Sequence, residues 1–114
     1  MKYMIQVRFN GADAVIRGLP SDAQDKITAE FHAVRKLSGV LDGNQLEPAG
    51  TAKTVRVTDG QTLVSDGPSV DDEAAINGYY IFDAPDLEAA LAFAARIPVA
   101  RMGGTVEVRA MVER

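Results

Sequence analysis

Tyr3-Met4-Ile5-Gln6-Val7-Arg8-Phe9 is the stretch that decides the fold: Tyr3, Ile5, Val7 and Phe9 alternate with Met4, Gln6 and Arg8, the period-two pattern of a half-buried β-strand. The far end of the chain repeats the pattern, with Val106, Val108, Ala110 and Val112 alternating with Glu107, Arg109 and Met111. Two terminal strands of this kind belong to a sheet with one covered face. If Tyr3, Ile5, Val7 and Phe9 meet helices, the opposite face carries Met4, Gln6, Arg8, Glu107, Arg109 and Met111, a mixed set suited either to partial exposure or to a sheet-to-sheet dimer enclosing a semi-polar cavity.

Inward from these ends, Asn10-Gly11 closes the first strand and a loop runs through Gly18 and Pro20. Ser21-Asp22-Ala23-Gln24 reads as a capping box, the serine hydroxyl satisfying an orphan helix N–H and Gln24 reaching back. Ile27, Phe31, Val34 and Leu37 then form one apolar helical stripe, with Gly39 as its C-terminal stop. Val40 to Pro48 reads as an irregular or brief strand segment. Lys53-Thr54-Val55-Arg56-Val57 and Thr62-Leu63-Val64-Ser65 flank Thr58-Asp59-Gly60-Gln61, whose Asp-Gly pair tolerates the positive φ angles of a type I′ hairpin turn. The register sets Val57 against Thr62 and Val55 against Val64. A loop from Asp66 to Asn77 leads to the strand Gly78-Tyr79-Tyr80-Ile81-Phe82-Asp83. Asp83-Ala84-Pro85-Asp86 supplies an N-cap and a first-turn proline for a second helix, with a stripe of Leu87, Ala90, Leu91, Ala94 and Ile97, halted by Pro98. Strand, helix, hairpin, strand, helix, strand is the order of a split β-α-β arrangement, an α+β fold of the ferredoxin-like β-α-β-β-α-β type with an added hairpin.

Composition narrows the class. A chain of 114 residues, 46% hydrophobic and 25% charged, is one domain (residues 1–114) with a real core. A formal net charge of −4 and a sequence pI near 4.9 argue against nucleic-acid binding, which depends on Lys and Arg neutralising phosphates. With no cysteine, disulfides, thiolate metal sites and cysteine nucleophiles are excluded. Gln6 and Arg8 interrupt any apolar signal core and no apolar run of membrane-spanning length follows, so a cytoplasmic protein without export signal or membrane contact is expected. No phosphate loop, metal cluster or nucleophile motif is present, and the residues call for no cofactor and no metal.

Thr54-Val55-Arg56-Val57, Asp59-Gly60, Leu63-Val64, Asp66-Gly67-Pro68, Gly78-Tyr79-Tyr80, Ala94-Ala95-Arg96-Ile97-Pro98 and Gly103-Gly104-Thr105-Val106-Glu107-Val108-Arg109 together resemble the DGPF family, grouped with the YCII-related domains. The resemblance runs without gaps from about Thr51 onward. It implies a dimeric α+β barrel, a homodimer with a small organic ligand between subunits, and acid–base chemistry of the lyase, isomerase or dehydrochlorinase kind. It also implies an alternative, a non-catalytic regulatory or scaffold module associated with an extracytoplasmic-function sigma factor. This chain departs from the family where an aromatic residue becomes Ser69, and where a lysine becomes an acid, Glu73, within Asp71-Asp72-Glu73-Ala74. The His–Asp pair of YCII enzymes would fall near Thr28 and Leu37, neither of which has the required side chain.

The candidate site residues follow from chemistry. His32, the one histidine, is the natural general base, yet it sits about 150° from the centre of its helix's apolar stripe and should face solvent. Asp66 can close a turn with Gly67 and Pro68, or face a cavity and position a substrate or water while Ser69 donates a hydrogen bond. Arg8 and Arg109, with Glu107, could bind a carboxylate or phosphate, or form salt bridges. Arg101 should reach the carbonyls that end the second helix. Asp71, Asp72 and Glu73 read as a solvated loop, since three consecutive acids diverge. Tyr79 and Tyr80 face opposite sides of their strand, one in the core and one open to a cavity.

Overall fold

The computed structural model describes residues 1–9, 11–71 and 74–113; Asn10, Asp72 and Glu73 lie outside the described residues, and so do the readings made on them. The elements are β1 (Lys2–Arg8), α1 (Ala12–Arg17), α2 (Ser21–Arg35), β2 (Val40–Gln45), β3 (Lys53–Thr58), β4 (Gln61–Asp66), β5 (Gly78–Asp83), α3 (Leu87–Arg96) and β6 (Thr105–Ala110). Four strands make an antiparallel sheet in the order β2-β5-β1-β6, while β3 and β4 form a separate two-stranded sheet. That order is ferredoxin-like, with the hairpin added between β2 and β5.

Strand β1 lies at the centre, Ile5 opposite Tyr80 on one side and Val108 on the other. Its alternation is strict: Tyr3, Ile5 and Val7 are buried while Met4, Gln6 and Arg8 are half-buried on the other face. Both long helices cover the Tyr3/Ile5/Val7 face, where Val34 of α2 and Ala90, Phe93 and Ala94 of α3 join Tyr80 and Phe82 in one core. Phe93 stacks on Phe82, with ring centroids 4.1 Å apart and planes 10° apart, and meets Tyr80 edge-on at 5.6 Å. Each such pair contributes about 0.5–1.5 kcal/mol beyond its buried area.

Several local readings need correction. The segment 12–17, read as loop, is a short helix. Pro20, not Ser21, is the N-cap of α2, and no side chain caps it. Gln24 instead donates through Nε2 to the carbonyls of Arg17 and Leu19 at 3.2 and 2.7 Å, so it ties α1 to α2 rather than closing a capping box. Helix α2 ends at Arg35, before Leu37 and Gly39. In α3 the buried face is Ala90, Phe93 and Ala94, and Leu87 and Leu91 are half exposed. The bulky Phe93 sets the rotation of this helix, because it alone can reach the two rings of β5. The cap of α3 is Asp86, whose carboxylate accepts from the Ala89 N–H at 2.9 Å; Pro85 therefore precedes the helix. The last strand stops at Ala110, leaving Val112 exposed.

The segment Val40–Gln45 is a genuine edge strand. Its pairing with β5 slips between Val40 and Asp42, so Leu41 breaks the alternation that would have marked a strand. Gly43 is required there: an added Cβ would stand 2.6 Å from Cδ1 of Tyr80. The hairpin matches its reading in turn and register. Asp59 and Gly60 both have positive φ, 50° and 77°, as a type I′ turn demands, and Val55 lies opposite Val64. Its apolar residues Val55, Val57 and Val64 are each more than half exposed.

Candidate functional site

A cleft of about 740 Å³ opens where α1 and α2 part from the β2/β5 edge of the sheet. Ala12 and Ile16 of α1 form one wall, and Thr28, Phe31, His32 and Arg35 of α2 form the other. The floor is made by Val7, Gly43, Gln45, Gly78 and Tyr80. Such a volume lies in the range of small-molecule sites, about 300–1,000 Å³.

Local sequence explains the wall and the floor. At about 100° per residue, Arg35, Thr28 and His32 lie roughly 40–100° around α2 from Phe31. The helix thus presses its apolar stripe on the sheet and turns a polar flank to the cleft. On the floor, Gly43 has no side chain, so the Tyr80 ring lies over the β2 backbone and lines the cleft. Burial pushes the Tyr80 phenol above its usual pKa, and the Arg35 guanidinium pulls it back in part. Asn77 secures the far end: its side-chain amide donates to the Phe9 carbonyl at 2.8 Å and accepts from the Phe9 N–H at 3.2 Å, while its own N–H donates to Val7 O at 2.8 Å.

The candidate residues named from sequence are divided among three places. His32 is exposed, as its helix position requires, but it stands on the rim of the cleft. Arg8 and Arg109 lie on the opposite face of the sheet. Arg8 is already engaged there, donating to the Ala74 carbonyl and Gln6 Oε1, both at 2.9 Å, and pairing with Glu107 at 3.3 Å. Asp66 ends β4 and pairs across the hairpin with Lys53, both carboxylate and ammonium being mostly exposed. Ser69 lines a second hollow of about 590 Å³ at the hairpin base, with Lys53, Thr54 and Val55. Arg101 pairs with Glu30 of α2 rather than with the carbonyls at the end of α3, a correction that follows from the 3-10 turn Pro98–Arg101 carrying it toward α2. Tyr80 is the buried tyrosine and Tyr79 the half-buried one; the Tyr79 hydroxyl donates to Asp42 at 3.2 Å and accepts from Asn44 at 2.9 Å.

The cleft residues that sequence reasoning missed are Thr28, Arg35 and Gln45, while Tyr80, named with Tyr79, is both in the core and on the cleft floor. A signal for the first two was present, because Thr28, His32 and Arg35 recur at helical spacing beside the apolar stripe. Gln45 had no signal, since it depends on an edge strand hidden by a bulge.

Comparison with known proteins gives the relationship. Over 66 residues the chain is 36% identical to "Uncharacterized protein R00369" of Rhizobium meliloti (strain 1021), a match covering 57% of this chain and 53% of that protein. The matched part thus spans about half the length of that relative. Among solved structures, 5-chloro-2-hydroxyhydroquinone dehydrochlorinase (TftG) from Burkholderia phenoliruptrix AC1100, in complex with 2,5-dihydroxybenzoquinone, is similar at 15% identity and a TM-score of 0.46, over 94% of this chain and 91% of that one. The model of the YCII-related domain matches residues 1–113, and the chain belongs to that family.

Proposed function

We propose that this protein binds a small organic molecule in the cleft between α1, α2 and β5, and acts as a homodimer through the open face of its sheet. The cleft carries the reading: Ile16 and Phe31 supply apolar surface, while His32, Gln45 and Tyr80 bring polar side chains to the same lining. A histidine and a phenol at one cleft suit proton transfer, so the chemistry favoured is acid–base catalysis of the lyase, isomerase or dehydrochlorinase kind, with His32 moving the proton. The open face, with Met4, Gln6, Arg8, Tyr79 and Ile81 half-buried, is where a second sheet would complete a barrel. Arg8 and Arg109 would then line the enclosed space, and Asp66 and Ser69 would bear on ligand binding only through the partner's approach to the hairpin.

A thermal-shift screen of the purified protein against small organic molecules tests this, with Thr28→Trp as the cleft-filling variant. Hits that stabilise the parent and not Thr28→Trp are expected, together with a sedimentation mass of two chains. If nothing binds, or hits bind the filled variant equally, the cleft reading fails. The second reading, a regulatory module for an extracytoplasmic-function sigma factor, draws on the exposed apolar face of the hairpin, Val55, Val57 and Val64. A stoichiometric complex with such a factor on co-purification, lost on Val55→Lys, would favour it.

A further inference from the structure

The cleft reverses the charge of the molecule that holds it. The chain has 16 acidic residues against 12 basic ones, yet among the described side chains its lining includes His32, Arg35 and Lys36 and no carboxylate. These three are also unengaged. Among the described residues the salt bridges occupy Arg8, Lys53, Arg101 and the N-terminal amine, and no side-chain hydrogen bond uses His32, Arg35 or Lys36. Glu30 of the same helix lies more than about 100° around α2 from all three and pairs with Arg101. Arg35 and Tyr80 line the same cleft, near enough for the guanidinium to act on the phenol, and among the described residues that guanidinium has no acceptor.

Resting on the reading of the cleft as a ligand site, we propose that its ligand is an aromatic or conjugated organic acid, whose carboxylate meets the Arg35 guanidinium and whose flat body lies between Phe31 and Tyr80. Arginine fits because its planar fork matches a carboxylate bidentately. Lys36 adds positive potential at the rim, and a cleft with low-dielectric walls concentrates that potential. Phe31 from α2 and Tyr80 from β5 both line the cleft and supply its aromatic surface. A charge-neutral ligand of the same shape would leave the guanidinium without a counter-charge.

The test is titration by NMR of the isotope-labelled full chain with benzoate, salicylate, benzamide and inorganic phosphate, repeated on Arg35→Gln. Benzoate and salicylate are expected to shift the amides of Phe31, Arg35 and Tyr80, and to bind at least about tenfold more tightly than benzamide, as one well-made charged contact implies. Arg35→Gln should remove that tenfold preference, by weakening the acids far more than benzamide. Equal affinity for benzoate and benzamide, or a preference that survives Arg35→Gln, overturns the proposal. Phosphate binding as tight as benzoate overturns the aromatic part. If the acids fail while neutral molecules from the thermal-shift screen still shift these amides, the anion proposal falls and the cleft reading stands; if no molecule shifts them, both fall.

Discussion

Replacing Gly43 by alanine tests whether the Tyr80 ring is held against the β2 backbone. The added Cβ would lie 2.6 Å from Tyr80 Cδ1, 3.0 Å from its Cε1 and 3.4 Å from the Tyr79 carbonyl oxygen, where carbon–carbon contacts are favourable only at about 3.5–4.0 Å. The ring cannot yield easily, because Phe93 stands against it on the core side. Overpacking of this kind costs about 1–3 kcal/mol, and the gain from removing a strand glycine returns about 0.5–1 kcal/mol. The net expectation is a loss of about 1–2 kcal/mol, measured by urea unfolding, and a Tm lowered by roughly 3–8 °C for a chain of this size. Gly50, where an added Cβ meets nothing within 4 Å, is the control, and Gly50→Ala should stay within about 0.5 kcal/mol of the parent. The decisive arm is a double-mutant cycle. In a Tyr80→Ala background the penalty of Gly43→Ala should vanish. A penalty of the same size in both backgrounds, or none in the parent, would refute the account of why β2 needs glycine.

Two further outcomes follow from the same geometry. Asp86→Ala removes the carboxylate that caps α3 through Ala89 and should cost about 1 kcal/mol in urea unfolding, with Asp86→Ser recovering most of it. Tyr80 contributes to stability at alkaline pH: burial raises its pKa above 10.0, so the folded protein holds the phenolic proton more tightly than the unfolded chain. That contribution is complete below about pH 10 and is lost as pH rises through the folded value. Urea midpoints between about pH 9 and 11 should therefore fall less steeply for Tyr80→Phe than for the parent.

The elements with strict local rules were legible from sequence alone. Strands β1 and β5 and the hairpin rest on alternation and on an Asp-Gly turn, and each appears within a residue or so of its expected place. Where competing tertiary contacts decide, reading failed: Phe93 outranked Leu87 and Leu91 because it alone reaches two aromatic rings, and Gln24 served α1 instead of the helix it begins. Strand β2 was obscured for a specific reason, a bulge at Leu41 and a glycine kept clear for a ring that lies about 37 positions later in the chain. The cleft draws part of its floor from this strand, through Gly43 and Gln45. Its chemistry was therefore only partly visible, as one histidine assigned to solvent and a set of arginines placed on the other face.

The central position of β1 carries a consequence for how the protein is made. Both of its neighbours, β5 and β6, come from the last third of the chain. During synthesis at about 5–20 residues per second, Tyr3, Ile5 and Val7 leave the ribosome several seconds before any strand that can cover them exists. The sheet cannot close around β1 until β6 has emerged, so α2 is available to cover the Tyr3, Ile5 and Val7 face well before either edge of β1 finds its hydrogen-bonding partner.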